Sequence, residues 1–271
     1  MKKVFQFFAI FSIAILSLTS CSSDDSTTSP VLLKKLQAGV MGDNETYSFT
    51  YNDTKLSKIS FQIDMGTTTS GYSDIVYAGD VITQVRDYNS SNQNTFNTVF
   101  TYNTTGQLTK VMKYQVGVDH AEKTVFTYNT DNTVDSEHYV GTNASQPYAD
   151  ATEKFYFVNN LLVQKDYTYS TTTNIQIMYN YDSANTPMKN VTGLAAIELY
   201  VNSWDGFLSL GLKGVSNNIV KEVWNYNTPG VVVPSETINY DSVYNDNNYP
   251  VSIISTSDSP GPYSYNYEYY N

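Results

Sequence analysis

A hairpin-sized stretch recurs along the chain, and this repetition constrains the fold more than any other feature. The clearest copy is residues 100–108, with the sequence FTYNTTGQL. Phe100 and Tyr102 are two residues apart, so their side chains point to the same face of a strand. Asn103 can begin a turn through its side chain, and Gly106 can adopt the positive φ that a type I turn followed by a bulge requires. The stretch therefore predicts one β-hairpin.

The copies of this hairpin are almost evenly spaced. Each has two aromatic or apolar residues two positions apart, then a turn rich in Asn, Asp or Gly, and then an apolar residue. We call the last aromatic residue of each copy its anchor aromatic; these are Tyr51, Tyr77, Tyr102, Tyr128, Phe157, Tyr181, Tyr240 and Tyr267. The successive intervals are 26, 25, 26, 29, 24, 59 and 27 residues. A unit of about 26 residues holds two strands and two turns, so the period predicts an array of β-hairpins.

Alternation within the copies predicts the fold class. Residues 47–51, 175–181 and 263–269 alternate between aromatic or aliphatic side chains and mostly polar ones. This pattern is typical of antiparallel strands with one face on the core and one face in water. We therefore predict an all-β fold, an extended antiparallel meander of repeated hairpins that forms a twisted or curled sheet, as a single domain over residues 31–271.

The doubled interval marks an insert in the repeat. Only the stretches 194–199 and 204–210 have mixed helical character, so we predict a short helical insert near 190–214 that packs on one mouth or face of the sheet. An alternative is that the insert and the strand after it form a ligand-binding cleft. The candidate ligand-binding residues are Trp204, Phe207, Asn217, Asn218 and Trp224.

The first twenty residues have the features of a targeting segment. Lys2 and Lys3 precede an apolar run that is too short to be a spanning helix, so residues 1–20 are predicted to be a signal peptide. The following Leu-Thr-Ser-Cys, residues 18–21, resembles a lipobox. That resemblance implies that Cys21, the one cysteine of the chain, becomes acylated as the first residue of the mature lipoprotein.

Residues 21–30 are small and polar, and we expect them to form a flexible tether after the acylated cysteine. Asp24 and Asp25 resemble the export signal that sends Bacteroidota lipoproteins to the cell surface; otherwise they simply keep the tether solvated. The predicted location is therefore the outer membrane, with surface exposure, although exposure on the inner leaflet remains the alternative.

Net charge narrows the range of partners. The formal charge is −11, and removal of Lys2 and Lys3 with the signal peptide makes it −13. Such an acidic chain is unsuited to nucleic acid or anionic lipid, because both are bound by clustered Lys and Arg. We therefore expect no nucleic-acid partner, and contact with the membrane through the lipid anchor only.

Residues that carry chemistry are scarce. His120 and His138 are the only histidines, and we expect both to be solvated surface residues. The sequence predicts no catalytic residue, no cofactor and no metal site. Two acidic loops, 131–135 and 241–248, fit ordinary turns, with calcium binding as an alternative. Paired carboxylates of a glycoside hydrolase remain open, since their spacing is spatial.

The string YNTTGQL at residues 102–108 resembles the YD (RHS-type) repeat, whose pattern is tyrosine, Asp or Asn, two variable residues, glycine, a polar residue and leucine. The other copies lack the glycine. The mature chain as a whole resembles small Bacteroidota lipoproteins of unknown function that carry similar hairpins and one insert. This resemblance implies the same hairpin architecture and supplies no established activity.

Two functions fit these features, and a third is weaker. The first is a non-catalytic surface binding module for a glycan or protein ligand. The second is a structural or assembly component of the cell envelope without a small-molecule ligand. The third is a glycoside hydrolase, which requires two carboxylates in one cleft.

Overall fold

A computed structural model describes residues 29–40, 43–169, 173–203, 217–228, 231–232, 234–257 and 262–270. The described strands are β1 (Leu32–Val40), β2 (Asp43–Asn52), β3 (Lys55–Asp64), β4 (Thr68–Ala78), β5 (Val81–Asn89), β6 (Asn94–Tyr102), β7 (Leu108–Gln115), β8 (Ala121–Tyr128), β9 (Thr133–Gly141), β10 (Tyr148–Val158), β11 (Leu161–Tyr169), β12 (Thr173–Asn185), β13 (Asn217–Thr228), β14 (Val231–Val232), β15 (Glu236–Tyr244), β16 (Pro250–Thr256) and β17 (Tyr263–Tyr270). A 3₁₀ turn (Ala195–Ile197) and the short helix α1 (Glu198–Val201) lie between β12 and β13.

The strands form one antiparallel meander that closes on itself. Strand β1 pairs with β2 on one side and with β17 on the other, where Leu33 lies opposite Tyr269 and Leu36 opposite Tyr267. The two-residue strand β14 and strand β15 pair with different parts of the same edge of β13. Strand β14 therefore adds no position of its own, and the other sixteen of the seventeen described strands form the ring. The predicted all-β antiparallel meander is confirmed, and its sheet is a closed barrel.

The two faces of the barrel wall have opposite polarity. Strand β2 shows the pattern, because buried or half-buried side chains alternate with polar side chains that face outward. Its inner residues are Glu45, Tyr47, Phe49 and Tyr51, and its outer residues are Asn44, Thr46, Ser48 and Thr50. The outer face of the other strands carries charged and amide side chains at the corresponding positions, such as Lys58, Asp74, Arg86 and Lys123. The outside of the barrel is therefore mostly polar, with single exposed apolar side chains such as Val243 and Ile254.

Apolar side chains fill much of the interior. Phe49, Leu56, Ile82, Phe155 and Leu162 are at most 1% exposed and belong to one contiguous core. Barrels with sixteen or more strands commonly enclose an aqueous channel. Here the inward side chains and the insert pack together in the space that such a channel would occupy.

The insert closes one end of the barrel. We call residues 186–203 the plug. We call the barrel end that it closes the plugged rim; this end carries the β2–β3, β4–β5, β6–β7, β8–β9, β10–β11 and β15–β16 turns. The plug buries its apolar residues in the barrel core: Met188, Val191, Leu194, Ile197, Leu199, Tyr200 and Val201. Tyr200 contacts Phe100 edge to face, with ring centroids 5.4 Å apart. The prediction of a short helical insert on one mouth is confirmed for the described residues, and residues 204–216 lie outside them.

Tyrosine hydroxyls satisfy carbonyl groups along the plugged rim. The backbone ladder between β5 and β6 stops at Gln84 and Val99, short of the rim, and similar gaps occur between three other strand pairs. In each gap a tyrosine hydroxyl donates to a backbone carbonyl of the neighbouring strand: Tyr102 to Ile82 (2.6 Å), Tyr128 to Leu108 (3.1 Å), Tyr181 to Leu162 (2.6 Å) and Tyr269 to Pro250 (2.7 Å). A buried carbonyl without a partner is costly, which explains why the repeat favours tyrosine at this position.

Bulges recur beside the anchor aromatics. In the hairpins that contain Tyr51, Tyr77 and Tyr102, the strand after the turn has one extra residue without a partner in the ladder, next to the residue that pairs with the tyrosine. The hydroxyl of that residue donates to the carbonyl across the ladder: Ser57 to Thr50 (2.9 Å), Thr83 to Val76 (3.2 Å) and Thr109 to Thr101 (3.1 Å). The 26-residue period of the sequence thus corresponds to a repeated bulge as well as a repeated hairpin.

The predicted turn chemistry is also present. The Asn103 side-chain oxygen accepts the backbone N–H groups of Thr105 (3.0 Å) and Gln107 (2.9 Å), and Gly106 has a φ of 81°. The side-chain oxygens of Asn89 and Asn245 make the same pair of bonds in their own turns. The prediction for Asn103 and Gly106 is confirmed.

The Tyr77→Phe variant tests the link between the barrel wall and the plug. The Tyr77 hydroxyl donates to the Thr192 carbonyl of the plug at 3.1 Å. Loss of this bond is expected to lower the free energy of unfolding at pH 8 by about 1 kcal/mol. Burial raises the pKa of Tyr77 to about 12.

The difference between wild type and Tyr77→Phe is expected to depend on pH. The unfolded phenol ionises near pH 10 and the folded one only near pH 12, so the phenol's contribution to stability is complete below pH 10 and falls above it. Each pH unit in that window removes up to about 1.4 kcal/mol. Urea unfolding should therefore show the variant less stable at pH 8, with a difference from wild type that shrinks as the pH is raised towards 10.5. A difference that stays constant with pH contradicts this assignment.

Candidate functional site

A cleft of about 570 Å³ opens at the plugged rim, between the β8–β9 turn, the β10–β11 turn and the plug. The buried side chains of Val134 and Leu199 lie in it, together with the rings of Tyr128 and Phe157. Its volume falls within the roughly 300–1,000 Å³ that is usual for small-molecule sites. The cleft is therefore a candidate binding site.

Strand register brings the two aromatic rings together. Tyr128 of β8 lies opposite Val134 of β9, and Val134 lies opposite Phe155 of β10, two residues before Phe157. Tyr128 and Phe157 are therefore inward-facing residues on either side of β9, at the same end of the barrel. Phe157 is the one anchor aromatic without a hydroxyl, so it lacks the group that other copies use to reach a neighbouring carbonyl. The repeat departs from tyrosine at the cleft.

Asparagines from the two turns project their amides at the cleft. Asn132, Asn159 and Asn160 have φ values of 64°, 51° and 63°, the left-handed conformation that asparagine tolerates better than most residues. All three are exposed, and within the described residues their side-chain amides make no hydrogen bond to another group. Asn129, by contrast, is fixed, because its amide donates to Thr133 Oγ1 (3.0 Å) and Asp135 Oδ2 (2.8 Å).

The cleft has little charge. Among the described residues that line the cleft, Glu198 in the first turn of α1 is the one carboxylate, and none is Lys, Arg or His. Burial raises the pKa of Tyr128, whose hydroxyl is held by the Leu108 carbonyl, so this phenol stays neutral at ordinary pH. The cleft thus offers amides, aromatic rings and one carboxylate.

The residues that the sequence singled out are either held by other contacts or lie outside the described residues. Trp204 and Phe207 lie outside the described residues, as does Cys21. The amide of Asn217 donates to the Asp182 carbonyl at 2.9 Å. The side chains of Asn218 and Trp224 are also held: the Asn218 amide donates to the Asn185 carbonyl (2.7 Å), and the Trp224 indole N–H donates to Glu222 Oε2 (2.8 Å). None of the three described candidates lines the cleft.

One histidine differs from its sequence-based expectation. The His120 side chain is 42% exposed, but that of His138 is only 17% exposed. His138 follows the buried Val134 and Ser136 at intervals of two, so strand alternation turns it to the inner face, where it contacts Asp150. The expectation that both histidines are solvated is therefore wrong for His138.

The described residues hold neither a metal-binding cluster nor a membrane-spanning helix. No group of three His, Cys, Asp or Glu side chains among them is placed to hold a metal ion. Asp131, in one of the acidic loops, uses Oδ1 to accept the Thr133 N–H (3.1 Å) and hydroxyl (2.6 Å), and these bonds lower its pKa. No helix within the described ranges is long and apolar enough to cross a bilayer.

Fold and cleft together define a class: a closed antiparallel β-barrel with a polar outer face, a filled interior, a plug at one rim and a cleft beside the plug. Among solved structures, the chain is similar to a porin-like protein from Bacteroides uniformis ATCC 8492. The TM-score is 0.58 and the sequence identity 10%, over 89% of this chain and 97% of the other. No family model matches the chain, and no curated protein matches it. The likeness establishes the barrel fold alone.

Proposed function

We propose that the chain is a lipid-anchored, surface-exposed protein of the outer membrane that acts as a non-catalytic binding module. The observation that carries the proposal is the combination of a polar barrel exterior, a filled interior and an open cleft at the plugged rim. A filled barrel offers a ligand its rims and outer wall, and the cleft is the concave part of that surface. The ligand, a glycan or a protein segment, binds there.

The polar exterior supports attachment by a lipid. Barrels that span membranes carry an apolar outward band about 25 Å tall, and Lys or Arg in the middle of that band costs roughly 2–4 kcal/mol. The outer face here carries Lys58, Arg86 and Lys123 among amide and hydroxyl side chains. We therefore place the barrel in water, with the acyl group of Cys21 as its membrane attachment. The likeness to a porin-like protein is compatible with an outer-membrane location.

The tether joins the barrel at the plugged rim. Strand β1 begins there, and the plug residue Asn190 donates its amide to the Val31 carbonyl at 3.0 Å. The cleft lies at the same rim between strands β8 and β11, about half-way around the ring from β1. The cleft and the attachment point thus share one end of the barrel. A tether of ten extended residues reaches roughly 30 Å, which leaves room for a ligand beside the membrane.

A Cys21→Ala variant tests the anchoring. Without the thiol there is no acylation site, so the variant is expected to incorporate no fatty acid and to keep its signal peptide, whereas Ser22→Ala is labelled and processed like wild type. The measurement is fractionation of cells that express each variant, with metabolic labelling by an alkyne fatty acid and protease treatment of intact cells. Equal fatty-acid labelling of Cys21→Ala and wild type contradicts lipid anchoring.

Glycoside hydrolysis uses a pair of carboxylates, and among the described lining residues of the cleft Glu198 is the one acidic residue. This supports binding without catalysis. An assembly role is the alternative proposal, but each strand of the described ring has neighbours on both sides, so a partner cannot add a strand without displacing one. Such a partner has to use the outer wall or the cleft itself.

A further inference from the structure

The cleft joins two kinds of side chain that recognise sugars. Amides can donate and accept hydrogen bonds at once, as the hydroxyl groups of a sugar require. The amides of Asn132, Asn159 and Asn160 are exposed and make no bond of their own within the described residues. Their turn backbones fix where these side chains start, because each residue is held in the left-handed conformation by a tight turn between two strands. The cleft therefore presents hydrogen-bonding groups that are within reach of a ligand and not used by the described part of the chain.

The aromatic rings supply the second element. Tyr128 is 36% exposed, and its hydroxyl is already occupied by the Leu108 carbonyl. What it offers a ligand is therefore its ring, in a fixed orientation. Phe157 lies in the same cleft and has no polar group. The apolar C–H face of a sugar ring packs on such a surface, while the sugar's hydroxyl groups reach the amides at the edge.

Charge excludes other small ligands. No basic side chain is among the described residues that line the cleft, so none of them neutralises a phosphate, a sulfate or a uronic acid. The Glu198 carboxylate, which does line it, repels anions. A neutral polyhydroxylated ligand meets no such penalty, and a volume of about 570 Å³ accommodates a short oligosaccharide rather than one small solute.

We infer that the cleft is a binding site for a neutral saccharide chain, with Asn132 and Asn160 as hydrogen-bonding residues and Tyr128 and Phe157 as the stacking surface. This inference rests on the proposed function and names the ligand class of the same site. The site lies at the barrel end that carries the tether, so it takes sugar chains that are exposed close to the membrane surface.

The variants for the test are matched in backbone conformation. Asn132 and Asn160 have φ values of 64° and 63°, and Asn92 and Asn248, in turns away from the cleft, have 63° and 62°. Glycine adopts this conformation freely, so it removes the amide without straining the turn. Asn132→Gly/Asn160→Gly is the test variant, and Asn92→Gly/Asn248→Gly is its control. Both are made in the mature chain with Cys21→Ser, which is lipid-free.

The measurement is binding to an array of neutral and anionic oligosaccharides, followed by calorimetric titration of the best neutral ligand. The expected result is binding to neutral chains, with affinity reduced about tenfold in the test variant and less than twofold in the control. Equal affinities in the two variants overturn the site assignment. Binding to anionic chains alone overturns the ligand class.

A second arm separates failure of this inference from failure of the proposed function. Asn160→Cys places a thiol in the cleft for a photo-crosslinker on cells that display the lipidated protein, in which Cys21 is acylated. If no saccharide binds but a protein is captured at this position and not at Asn248→Cys, the saccharide inference is overturned while a binding module remains. If neither saccharide nor protein is found, both are overturned.

Discussion

Replacing Phe155 by alanine is expected to lower the free energy of unfolding by about 3–5 kcal/mol. Phe155 is 0% exposed on the inner face of β10 and belongs to the apolar core that joins the barrel wall to the plug. Truncation removes its apolar contacts and leaves a cavity that rigid strands on both sides close only in part. Urea unfolding of the lipid-free mature chain, followed by tryptophan fluorescence, measures the change.

Thr152→Ala is the control for this variant. Thr152 lies on the same strand but faces outward and is exposed, so its replacement is expected to change the free energy of unfolding by no more than about 0.5 kcal/mol. If Phe155→Ala costs as little as Thr152→Ala, the interior around β10 is not packed. The barrel then has a water-filled lumen, and the filled core is the wrong description.

Lys165→Met is expected to have a comparable effect, about 3–5 kcal/mol, for an electrostatic reason. The Lys165 ammonium contacts Glu153 Oε1 at 3.1 Å and donates to the Asn202 carbonyl of the plug at 2.8 Å. Both side chains of the ion pair are less than a tenth exposed. Removal of the cation alone leaves the Glu153 carboxylate in the barrel interior without its partner charge.

The double variant Lys165→Met/Glu153→Gln separates charge from packing. It removes both charges, while the introduced glutamine side chain keeps an oxygen for the Ser136 hydroxyl, which donates to Glu153 Oε2 at 3.1 Å in the wild type. Most of the lost stability is therefore expected to return, to within about 1 kcal/mol of wild type. Urea unfolding at pH 7 compares the three proteins. If Lys165→Met alone is as stable as wild type, the ion pair between Lys165 and Glu153 is solvated and not buried.

Local sequence patterns predicted the hairpins and their turns. The spacing of Phe100 and Tyr102 predicted that both point to one face of a strand, and Asn103 with Gly106 predicted the turn. These properties depend only on neighbours within one repeat. The role of the tyrosine hydroxyl depends on the next strand, where the ladder stops short of the rim. That role emerges only once the strands are aligned.

Closure and the cleft depend on contacts between distant parts of the chain. The seam joins β1 to β17, which are more than two hundred residues apart. The alternation of polar and apolar residues in these two strands is the same in an open sheet, so it does not predict closure. The cleft combines the β8–β9 and β10–β11 turns with the plug. Of the residues that the sequence indicated, Asn217, Asn218 and Trp224 do not line it, and Trp204 and Phe207 lie outside the described residues. One local departure did mark it: Phe157, where the other copies have tyrosine, followed by Asn159 and Asn160.

Disulfide formation across the seam tests the closed barrel most directly. Gln37 of β1 and Asn266 of β17 are exposed and lie directly opposite each other, and paired antiparallel residues have Cα atoms about 4.5–5.5 Å apart, within the range of a disulfide. In the Cys21→Ser background, Gln37→Cys/Asn266→Cys is expected to form an intramolecular disulfide under mild oxidation, as readily as the adjacent-strand pair Gln84→Cys/Val99→Cys. Mass spectrometry of the oxidised monomer measures it. A seam pair that stays reduced while the adjacent-strand pair oxidises contradicts closure of the ring.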